Sequence, residues 1–343
     1  MKSIAVTGAL GSFGRRLVLH CAKDHSIERV VAYSRNEFMM WVHQNLFRSL
    51  LSSRDFEKIH WFVGDVRDQD RMMKAFWHCD VVVFAAALKR VDSSCNNPTE
   101  LIETNILGLS KGLEAAMVSG VKKFIFISSD KAAHPENFYG GSKYLGEELV
   151  RAFNSFSEPR GMECLSTRWG NVLGSRGSVY WIWRKAFLRN EPVQLTSPWM
   201  TRFHIDFALA IETVRAAIYQ GRAGDLIIPC LESYRLMDFL RAMESVYQMD
   251  ASIDEVGKRL GGEKLHEELF TFSEVLQSTE LKYGLLTFLR MNPQKTKTDS
   301  ENSRASHTSE GYSMTPEELE EMIKKFESNE REDPRIRAID ELI

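Results

Sequence analysis

Four ionisable side chains in the segment 128–143 could move protons or hold a cofactor. They are Asp130, Lys131, Tyr139 and Lys143. An apolar run at 124–127, FIFI, precedes the segment and is typical of a buried strand. Asp130 and Lys131 therefore fall just past the carboxyl end of a predicted strand, where open α/β sheets bind ligands. Because core packing does not require this set of side chains, the segment is a candidate active site.

Tyr139 and Lys143 lie four residues apart, so they share one face if a helix begins at Tyr139. Beside a nicotinamide, the charge of such a lysine lowers the pKa of the tyrosine, and its ammonium group can hold the nicotinamide ribose. The tyrosinate can then take a proton from a sugar hydroxyl while hydride leaves the same carbon. The pattern YxxxK also arises by chance in helices, so its meaning depends on the surrounding elements.

Asp130 and Lys131 add an acid and a base that a simple oxidoreductase does not need, because Ser128 or Ser129 can supply the usual hydroxyl. Once a ketone has formed on a sugar, the adjacent C–H bond is acidic. A lysine could remove that proton while an aspartic acid protonates a departing hydroxyl, which together eliminate water. The alternative is an exposed ion pair that stabilises the fold by about 0–1 kcal/mol.

The elements before this segment predict a dinucleotide-binding domain. A strand at 3–7 is followed by the glycine-rich turn GALGSFG at 8–14 and by a helix at 15–23. The glycines let the backbone approach a pyrophosphate, and the helix N-terminus supplies amide donors. A tight turn between strand and helix that binds no ligand is the alternative.

The end of the second predicted strand, 29–34, indicates which dinucleotide would bind. NAD would require an acidic residue about 20 positions past the glycines, whereas this chain has Ser34, Arg35 and Asn36 there. A hydroxyl and an arginine suit a 2′-phosphate, so NADP is the expected cofactor. A solvated arginine at a strand end is the alternative.

Two further predicted strands place residues near such a cofactor. The third, 60–63, is followed by Asp65, which could accept from the adenine amino group or cap the next helix, although Asp68 suits the cap better. The fourth, 81–87, is wholly apolar, as a central parallel strand should be. Lys89 follows it, as either a phosphate or substrate contact or a surface lysine.

A long predicted helix at 98–119 adds Thr104 and Asn105, and Asn105 could serve the catalytic groups or satisfy a neighbouring carbonyl. The expected cofactor contacts are Gly8, Leu10, Gly11, Ser12, Phe13, Gly14, Ser34, Arg35, Asn36, Asp65, Val66, Ala85, Ala86, Ala87, Lys89, Thr104, Tyr139 and Lys143.

Six predicted strands alternate with helices, which gives an α/β fold with a doubly wound parallel sheet and a smaller C-terminal α/β lobe. The expected organisation has an NADP-binding domain at 1–169, which also receives parts of about 204–230. A mainly substrate-binding lobe at 170–290, a polar linker at 291–314 and a C-terminal helix and tail at 315–343 follow.

The overall composition limits the function classes. The 343 residues are 43% hydrophobic and 27% charged with a net charge of −3, so neither a nucleic acid nor a membrane is an expected partner. The five cysteines have no paired or metal-ligand spacing, and Phe270 stands where an HExxH zinc motif needs histidine, so no metal is expected. Because no signal peptide or membrane span is predicted either, a cytoplasmic location is expected.

Together these motifs resemble the extended short-chain dehydrogenase/reductases, and within them the inverting UDP-N-acetylglucosamine 4,6-dehydratases of surface-sugar biosynthesis. The resemblance covers about residues 3–290. The matching stretches are TGALGSFG (7–14), YSRNE (33–37), GDVRD (64–68), AALKRV (86–91), SSDKA (128–132), YGGSK (139–143), GNVLGSRGSV (170–179), MTRF (200–203) and GEKLHEE (262–268).

The resemblance implies a role for each catalytic group. Tyr139 deprotonates the hydroxyl on carbon 4 as NADP+ takes the hydride, with Ser129 beside it. Lys131 removes the proton on carbon 5, and Asp130 protonates the hydroxyl that leaves carbon 6. The hydride returns to carbon 6, so tightly bound NADP suffices, and carbon 5 is reprotonated on the opposite face.

The resemblance also implies which residues contact the UDP-sugar, and Arg202 among them can pair with the diphosphate. These residues are Lys89, Asn171, Val172, Thr196, Met200, Arg202, Arg259 and Glu263. The chain departs from the family pattern at Ala9-Leu10, at Arg90 and at Gly141-Ser142, and Arg259 lies one position farther than usual from Gly262-Glu263. A UDP-sugar 4-epimerase or 4-ketoreductase and a non-catalytic NADP-binding scaffold are the alternative functions, and a homo-oligomer is expected.

Overall fold

A computed structural model describes residues 1–258, 262–291, 308–328 and 334–341 of the chain. The strands are β1 (Ser3–Thr7), β2 (Arg29–Ser34), β3 (Ile59–Val63), β4 (Val81–Phe84), β5 (Lys123–Ile127), β6 (Glu163–Thr167), β7 (Asn171–Val172), β8 (Val193–Leu195), β9 (Thr201–Ile205), β10 (Leu226–Pro229), β11 (Ser233–Arg235), β12 (Ile253–Glu255), β13 (Ser278–Tyr283) and β14 (Leu286–Met291).

The helices alternate with these strands through most of the chain. They are α1 (Ser12–Lys23), α2 (Glu37–Leu50), α3 (Ser53–Glu57), α4 (Gln69–Phe76), α5 (Val91–Asn96), α6 (Pro98–Leu101), α7 (Gly108–Val118), α8 (Phe138–Ser157), α9 (Val179–Arg189), α10 (Phe207–Gln220), α11 (Leu236–Tyr247), α12 (Phe272–Leu276), α13 (Pro316–Ser328) and α14 (Pro334–Glu341). Three 3-10 turns occur at Asp130–Ala132, Glu158–Arg160 and Ser309–Gly311, and a π-helical turn at Ile102–Leu107.

A nine-stranded sheet forms the larger part of the molecule, in the order β13-β14-β10-β6-β5-β4-β1-β2-β3. The strands from β3 to β10 are parallel, which confirms the predicted doubly wound α/β fold. The chain order reverses between β1 and β4, and ligands of open sheets bind at such a switch point. The predicted glycine turn and the predicted cofactor-contacting alanines follow these two strands.

Apolar side chains on both faces explain why the central strands are buried. Successive residues of a strand point to opposite faces, so Val6 and Val83 pack on the side that holds α1 and α10. Ala5 and Val82 pack on the other side, against α4 and α7. The sheet is therefore covered on both faces and held rigid, which fixes the loops at its carboxyl edge.

A smaller lobe contains the sheet β11-β9-β7, the pair β12-β8 and a core of its own. Trp183 of α9 and Phe239 of α11 are buried in that core, and Leu319 of α13 joins them. The predicted start of the C-terminal helix is confirmed, because the Thr315 hydroxyl accepts from the Glu318 backbone while the Glu318 side chain accepts from the Thr315 backbone. The buried side chains of Leu319 and Ile323 anchor α13 to this lobe.

The larger sheet contains a seventh parallel strand, β10, because Leu226 and Ile227 pair with the end of β6. This strand lies within 204–230, part of which was expected to join the larger domain. The hairpin β13–β14 also extends this sheet through pairing with β10, so the expectation that 278–290 belong to the smaller lobe was wrong. The error concerns lateral pairing between strands, which no local pattern specifies.

Several predicted elements also have different bounds, since α1 begins at Ser12 rather than at 15 and β3 at Ile59 rather than at 60. β4 ends at Phe84 rather than at 87, and the helix expected at 98–119 contains the π-helical turn. The predicted linker 291–314 begins with the last residue of β14, and 292–307 lies outside the described residues. Residues 308–314 pack on the smaller lobe, because Ser309 is fully buried and Met314 joins the core there. This end of the linker is therefore part of the folded lobe.

Candidate active site

The glycine turn brings β1, β4 and α1 into close backbone contact. Gly8 has a φ of +66°, and a Cβ atom at this position would lie 2.9 Å from the backbone of Ala86. A Cβ atom at Gly14 would lie 2.3 Å from the Gly8 carbonyl oxygen. Side chains at either position would push α1 away from the strands, so the glycines keep the N-terminus of α1 close to the switch point.

A cleft lies at the carboxyl ends of β1, β2 and β4, next to this turn. It is lined by Gly8, Tyr33, Ser34, Arg35, Gly64, Asp65, Val66, Ala86, Ala87, Leu88 and Thr104. The cleft thus brings together eight of the predicted cofactor contacts. The Thr104 hydroxyl is buried and has no hydrogen-bond partner among the residues that the structure describes. A narrow cleft with apolar walls and an unused hydroxyl fits the adenosine part of a dinucleotide.

Asp65 is held by arginines at the open side of the cleft. Its carboxylate accepts hydrogen bonds from the Arg67 backbone and guanidinium at 2.9–3.1 Å, and Arg35 Nη1 lies 4.0 Å away. Partial burial acts to raise the pKa of Asp65, but the bonds from Arg67 outweigh it and lower the pKa. The helix cap is Asp68, which accepts from the Arg71 backbone, so the preference for Asp68 as the cap is confirmed.

Several predicted cofactor contacts have other local partners. Asn36 caps α2 by accepting a hydrogen bond from the Met39 backbone. The Ser12 hydroxyl accepts from the Arg176 backbone and donates to Asp340 of α14. The side chains of Asn36 and Ser12 thus form hydrogen bonds within the protein. Ser12 can contact a ligand through its backbone amide.

Hydrogen bonds to the neighbouring strand shape the turn that carries Asp130 and Lys131. The Ser128 backbone donates to the Thr167 carbonyl, and the Asp130 backbone donates to the Trp169 carbonyl at 2.9 Å. The chain therefore continues beside β6 before it turns at Asp130–Ala132. As a result the Asp130 side chain points inward and is completely buried. The alternative of an exposed surface ion pair was wrong.

Lys131 is surrounded by three acceptors. Its Nζ lies 3.1 Å from Asp130 Oδ1 and 3.2 Å from Glu267 Oε1, and it donates to Asn171 Oδ1 at 3.2 Å. Ser129 donates to the same Asp130 oxygen at 2.8 Å. The second oxygens of Asp130 and Glu267 are buried without a hydrogen-bond partner among the described residues. One lysine thus holds two buried carboxylates.

Burial and the charges of their neighbours shift the pKa values of Asp130, Lys131 and Glu267. Burial and the neighbouring Glu267 raise the pKa of Asp130, although Lys131 acts against them. Burial would lower the pKa of Lys131, but both carboxylates outweigh it and raise that pKa. Burial would also raise the pKa of Glu267, yet Lys131 and Arg202 lower it. In the ligand-free protein Lys131 is an ammonium, and Asp130 is the carboxylate that takes a proton more readily.

Tyr139 and Lys143 lie on α8 as predicted, because the Asn137 side chain caps this helix at the Gly140 backbone. Lys143 is buried, and its Nζ donates to the Ile127 carbonyl at 2.7 Å and lies 6.0 Å from the centre of the Tyr139 ring. Burial lowers the pKa of Lys143 to about 8. The lysine therefore ties α8 to the end of β5, directly behind the catalytic turn.

Burial raises the pKa of Tyr139 to about 12, while the charge of Lys131 and a hydrogen bond with Ser129 act to lower it. In the ligand-free protein the cation that lowers this pKa is Lys131, whereas the Lys143 ammonium donates to a backbone carbonyl. Lowering of the pKa by Lys143 beside a bound nicotinamide stays a prediction.

Asn105 satisfies a neighbouring carbonyl, the second of the two roles expected for it, whereas service to the catalytic groups stays a prediction. Its amide oxygen accepts from the Leu88 backbone and its nitrogen donates to the Leu88 carbonyl, which fixes the loop after β4. The same nitrogen donates to Ser142 Oγ on α8 at 3.0 Å. Asn105 reaches both because it lies in the π-helical turn, a feature that often marks functional sites.

The predicted sugar-nucleotide contacts lie in different parts of the structure. Asn171 lies in the Lys131 cluster, whereas Arg202 and Glu263 form a 2.9 Å ion pair next to it, with Arg202 also on the Met200 sulfur. Val172 and Thr196 are half-buried in the smaller lobe, and Lys89 is exposed after β4. Arg259 lies outside the described residues. Because Arg202 is buried and paired, it positions the segment 262–268 in the ligand-free protein.

The segment 262–268 covers the turn Asp130–Ala132. Sequence reasoning did not single out Glu267, the residue of this segment that contacts Lys131. The Asn137 side chain donates to the Gly262 carbonyl, and Lys264 donates to the Ala133 carbonyl. These contacts bring Glu267 to Lys131. Two adjacent glutamates in the motif GEKLHEE were the available signal, but only the tertiary contacts indicate which of the two faces the site.

Comparison with known proteins identifies the family. Residues 4–287 match the family described as polysaccharide biosynthesis protein. The chain belongs to this family. Its relatives include nucleotide-sugar dehydratases and epimerases of the extended short-chain dehydrogenase/reductase type.

Three curated relatives illustrate the range of the family. A Methanocaldococcus jannaschii protein named uncharacterized membrane protein MJ1061 is 36% identical over 82% of this chain and 84% of its own. A Campylobacter jejuni UDP-N-acetylglucosamine 4,6-dehydratase (inverting) is 31% identical over 88% and 86%, respectively. A Rickettsia bellii UDP-glucose 4-epimerase is 32% identical over 82% and 81%. Within the described part of this chain, no helix has the length and apolar character needed to cross a membrane.

Two solved structures share the fold. The structure of Pen from Bacillus thuringiensis superposes with a TM-score of 0.86 at 28% identity, and covers 95% of this chain and 97% of that one. The dTDP-glucose 4,6-dehydratase DesIV from Streptomyces venezuelae, solved with NAD and TYD bound, has a TM-score of 0.67 at 19% identity over 77% of this chain and 86% of its own.

Proposed function

We propose that the protein is an NADP-dependent nucleotide-sugar 4,6-dehydratase that acts on UDP-N-acetylglucosamine and inverts carbon 5, in surface-sugar biosynthesis. The observation that carries the proposal is the buried pair of Asp130 and Lys131 beside Tyr139. A hydride transfer alone does not need a second acid and base. The Campylobacter jejuni relative, whose name states this activity, supports the same conclusion.

The cofactor site fits a nicotinamide dinucleotide, which when bound accepts a hydride from the sugar and later returns it. The glycine turn keeps the N-terminus of α1 close to the switch point, where its backbone amides can bind a pyrophosphate, and Thr104 offers a buried hydroxyl to the adenosine. Ser34 and Arg35 at the end of β2 would hold a 2′-phosphate. The side chain of Arg35 is 58% exposed, so its guanidinium can reach a ligand, and this favours NADP over NAD.

Tyr139 is the base that takes the proton of the carbon 4 hydroxyl. Its raised pKa in the ligand-free protein means that a positive charge beside it is needed before it ionises near neutral pH. The ammonium of Lys131 already acts in that direction. Lys143 holds α8 against β5 and so fixes the position of Tyr139.

Asp130 and Lys131 rest in forms that cannot eliminate water, because a carboxylate is no acid and an ammonium is no base. Transfer of one proton from Lys131 Nζ to Asp130 Oδ1, 3.1 Å apart, converts both groups to the active forms. Lys131 then takes the proton from carbon 5, and Asp130 gives its proton to the hydroxyl that leaves carbon 6. These two transfers return the pair to the resting ion pair, so the cycle closes without a further proton donor for Asp130.

A UDP-sugar 4-epimerase is the second candidate function. The Rickettsia bellii relative, named for that activity, favours it, and an ion-paired Asp130 and Lys131 would be spectators in such a reaction. A homo-oligomer and a cytoplasmic location stay predictions, as does the substrate-binding role of the smaller lobe.

Product analysis separates the candidates. The protein is incubated with a panel of UDP-sugars that includes UDP-N-acetylglucosamine, and the products are weighed by mass spectrometry. A product lighter by one water supports the dehydratase, whereas an isomer of unchanged mass supports the epimerase. If NADP binds but no UDP-hexose changes, the scaffold alternative holds.

A further inference from the structure

We propose that Glu267 is a positioning residue of the elimination step, which fixes the Lys131 amino group and supplies the negative charge that balances its ammonium form. The inference rests on the proposed function, because elimination is the step that uses Lys131. It adds a third ionisable residue to the predicted acid and base.

The contacts of Lys131 Nζ are the first argument. An ammonium group has three donors, and three oxygens from separate residues lie within 3.2 Å of this one, on Asp130, Asn171 and Glu267. When the proton facing Asp130 moves to that carboxylate, Asn171 and Glu267 remain as acceptors for the other two N–H groups. Lys131 therefore keeps its position in both protonation states.

The fold also anchors Glu267 itself. Glu267 is only 1% exposed, and its backbone N–H and carbonyl form 2.8 Å hydrogen bonds with the hydroxyl and the backbone N–H of Ser309, respectively. The Ser309 hydroxyl also contacts Thr201 of β9. Arg202 Nε lies 4.0 Å from the Glu267 carboxylate. A carboxylate fixed in this way can hold its partner without moving.

The charge of Glu267 balances the ammonium form of Lys131. A buried ammonium is costly unless an ionised partner touches it. Asp130 cannot be that partner throughout, because it must carry a proton when elimination begins. Glu267 stays ionised, since Lys131, Arg202 and Lys264 all lower its pKa. Lys131 thus has a counter-ion when it becomes positively charged at carbon 5, much as a carboxylate stabilises a histidine that acts as a base.

The charged and titratable groups around Lys131 set the expected pH effect. They are Lys89, Asp130, Tyr139, Arg202, Tyr234 and Glu267. Glu267 raises the pKa of Asp130 and of Lys131 alike. Removing its charge while keeping its shape must therefore shift both titrations to lower pH. A residue that served only to pack the segment 262–268 would not do so.

The test is the pH profile of water loss in Glu267→Gln, with Glu268→Gln as the matched control. Glu268 is the adjacent glutamate and binds His134 instead of the Lys131 cluster. In Glu267→Gln both limbs of the kcat profile are expected to move about one pH unit lower, and KM for the UDP-sugar stays within about twofold of wild type. An unmoved profile, or a rise in KM alone, would overturn the proposal.

A second measurement needs no substrate and does not depend on a Glu267 variant. Lysine side chains of the wild-type protein with NADP bound are labelled with ¹³C at Cε, and their NMR signals are titrated. Lys131, assigned through Lys131→Met, is expected to titrate above the ordinary lysine value and Lys143 below it. A Lys131 titration at or below the ordinary value would refute the role of Glu267. The absence of water loss from every UDP-sugar would instead refute the proposed function, and this titration would still decide the charge pairing.

Discussion

Lys131 Nζ lies 3.1 Å from an Asp130 carboxylate that has no exposure to solvent. If Lys131 left the contact, two buried carboxylates would lose their ammonium, and if Asp130 left it, Lys131 would keep only Glu267 as an ionised partner, so separation of the pair is unfavourable. The fold therefore holds the pair together, and substitution of Lys131 shows what the pair does.

Replacing Lys131 by methionine keeps the length of the side chain but removes the base. We expect the rate of water loss to fall at least about 10²-fold, because a positioned general base typically contributes that much. NADP binding should continue, and enzyme-bound NADPH should still form but more slowly, since Tyr139 remains while the positive charge of Lys131 that lowers its pKa is lost. Absorbance at the NADPH wavelength and product mass measure the two steps separately. Lys122→Met, which removes an exposed lysine paired with Asp80, serves as the control, and equal turnover in both variants would refute the base assignment.

The buried Lys143 makes stability depend on pH. Its folded pKa of about 8 lies below the ordinary 10.5, so the unfolded chain binds more protons between these two values. Stability from this group therefore rises as pH increases from 8 to 10.5. We expect the free energy of unfolding of the wild type, relative to Lys143→Met, to rise by about 3 kcal/mol over that range. Urea unfolding at pH 7.5 and 10.5 measures the difference, and a constant difference would contradict it.

Asp340 anchors the terminal helix α14 to α1, where it contacts Arg15, Arg16 and Ser12. Arg15 is fully buried, so Asp340→Asn leaves its charge uncompensated at a cost of about 3–5 kcal/mol. We expect either a lower melting temperature or release of α14, seen as faster hydrogen exchange over 334–341. Glu341→Gln, one residue away on the same helix, should change neither by a comparable amount. Unaltered exchange and melting in Asp340→Asn would show that the contact is dispensable.

The same carboxylate should respond to acid. Burial acts to raise the pKa of Asp340, but Arg15 and Arg16 outweigh it and lower the pKa. Its contribution is thus present at neutral pH and is lost as pH falls through the folded pKa, below the ordinary 3.8. The protection of α14 against hydrogen exchange, corrected for the intrinsic rate, should therefore fall as the pH is lowered below 3.8. Exchange that follows the intrinsic rate alone would contradict this role of Asp340.

Arg35 is expected to select the cofactor. Arg35→Gln removes the cation beside the proposed 2′-phosphate, so NADP affinity should fall by about 10-fold or more while NAD affinity stays nearly constant. Asp65 should amplify the effect, because it already attracts Arg35 from 4.0 Å and would repel a phosphate left without its arginine. Calorimetric titration of both cofactors gives the ratio. Parallel losses for NAD and NADP would contradict a 2′-phosphate contact.

Local patterns were sufficient for the parts of the site that one strand and its following turn provide. The apolar run of β5 places Asp130 and Lys131 at the sheet edge, and the cap at Asn137 places Tyr139 at the start of α8. The glycine spacing likewise predicted a helix directly after β1, although α1 begins at Ser12 rather than at 15. In each case the residues that determine the geometry are adjacent in sequence.

Contacts between distant segments could not be predicted in this way. Glu267 reaches Lys131 only because the segment 262–268 folds over the turn, and Asp340 reaches Ser12 from the far end of the chain. The addition of the hairpin β13–β14 to the large sheet is of the same kind. The pKa of Tyr139 in the ligand-free protein depends on burial and on the charge of Lys131, which the spacing of four residues between Tyr139 and Lys143 does not reveal.

The central claim is that Asp130 and Lys131 eliminate water from a UDP-sugar, and one reaction in deuterated water tests it most directly. Wild-type protein with NADP is incubated with UDP-N-acetylglucosamine in D2O, and the product is analysed by mass spectrometry and proton NMR. We predict a product that is lighter by one water and carries deuterium at carbon 5, with none formed by Lys131→Met. A product of unchanged elemental composition with its carbon 5 proton retained would contradict the account.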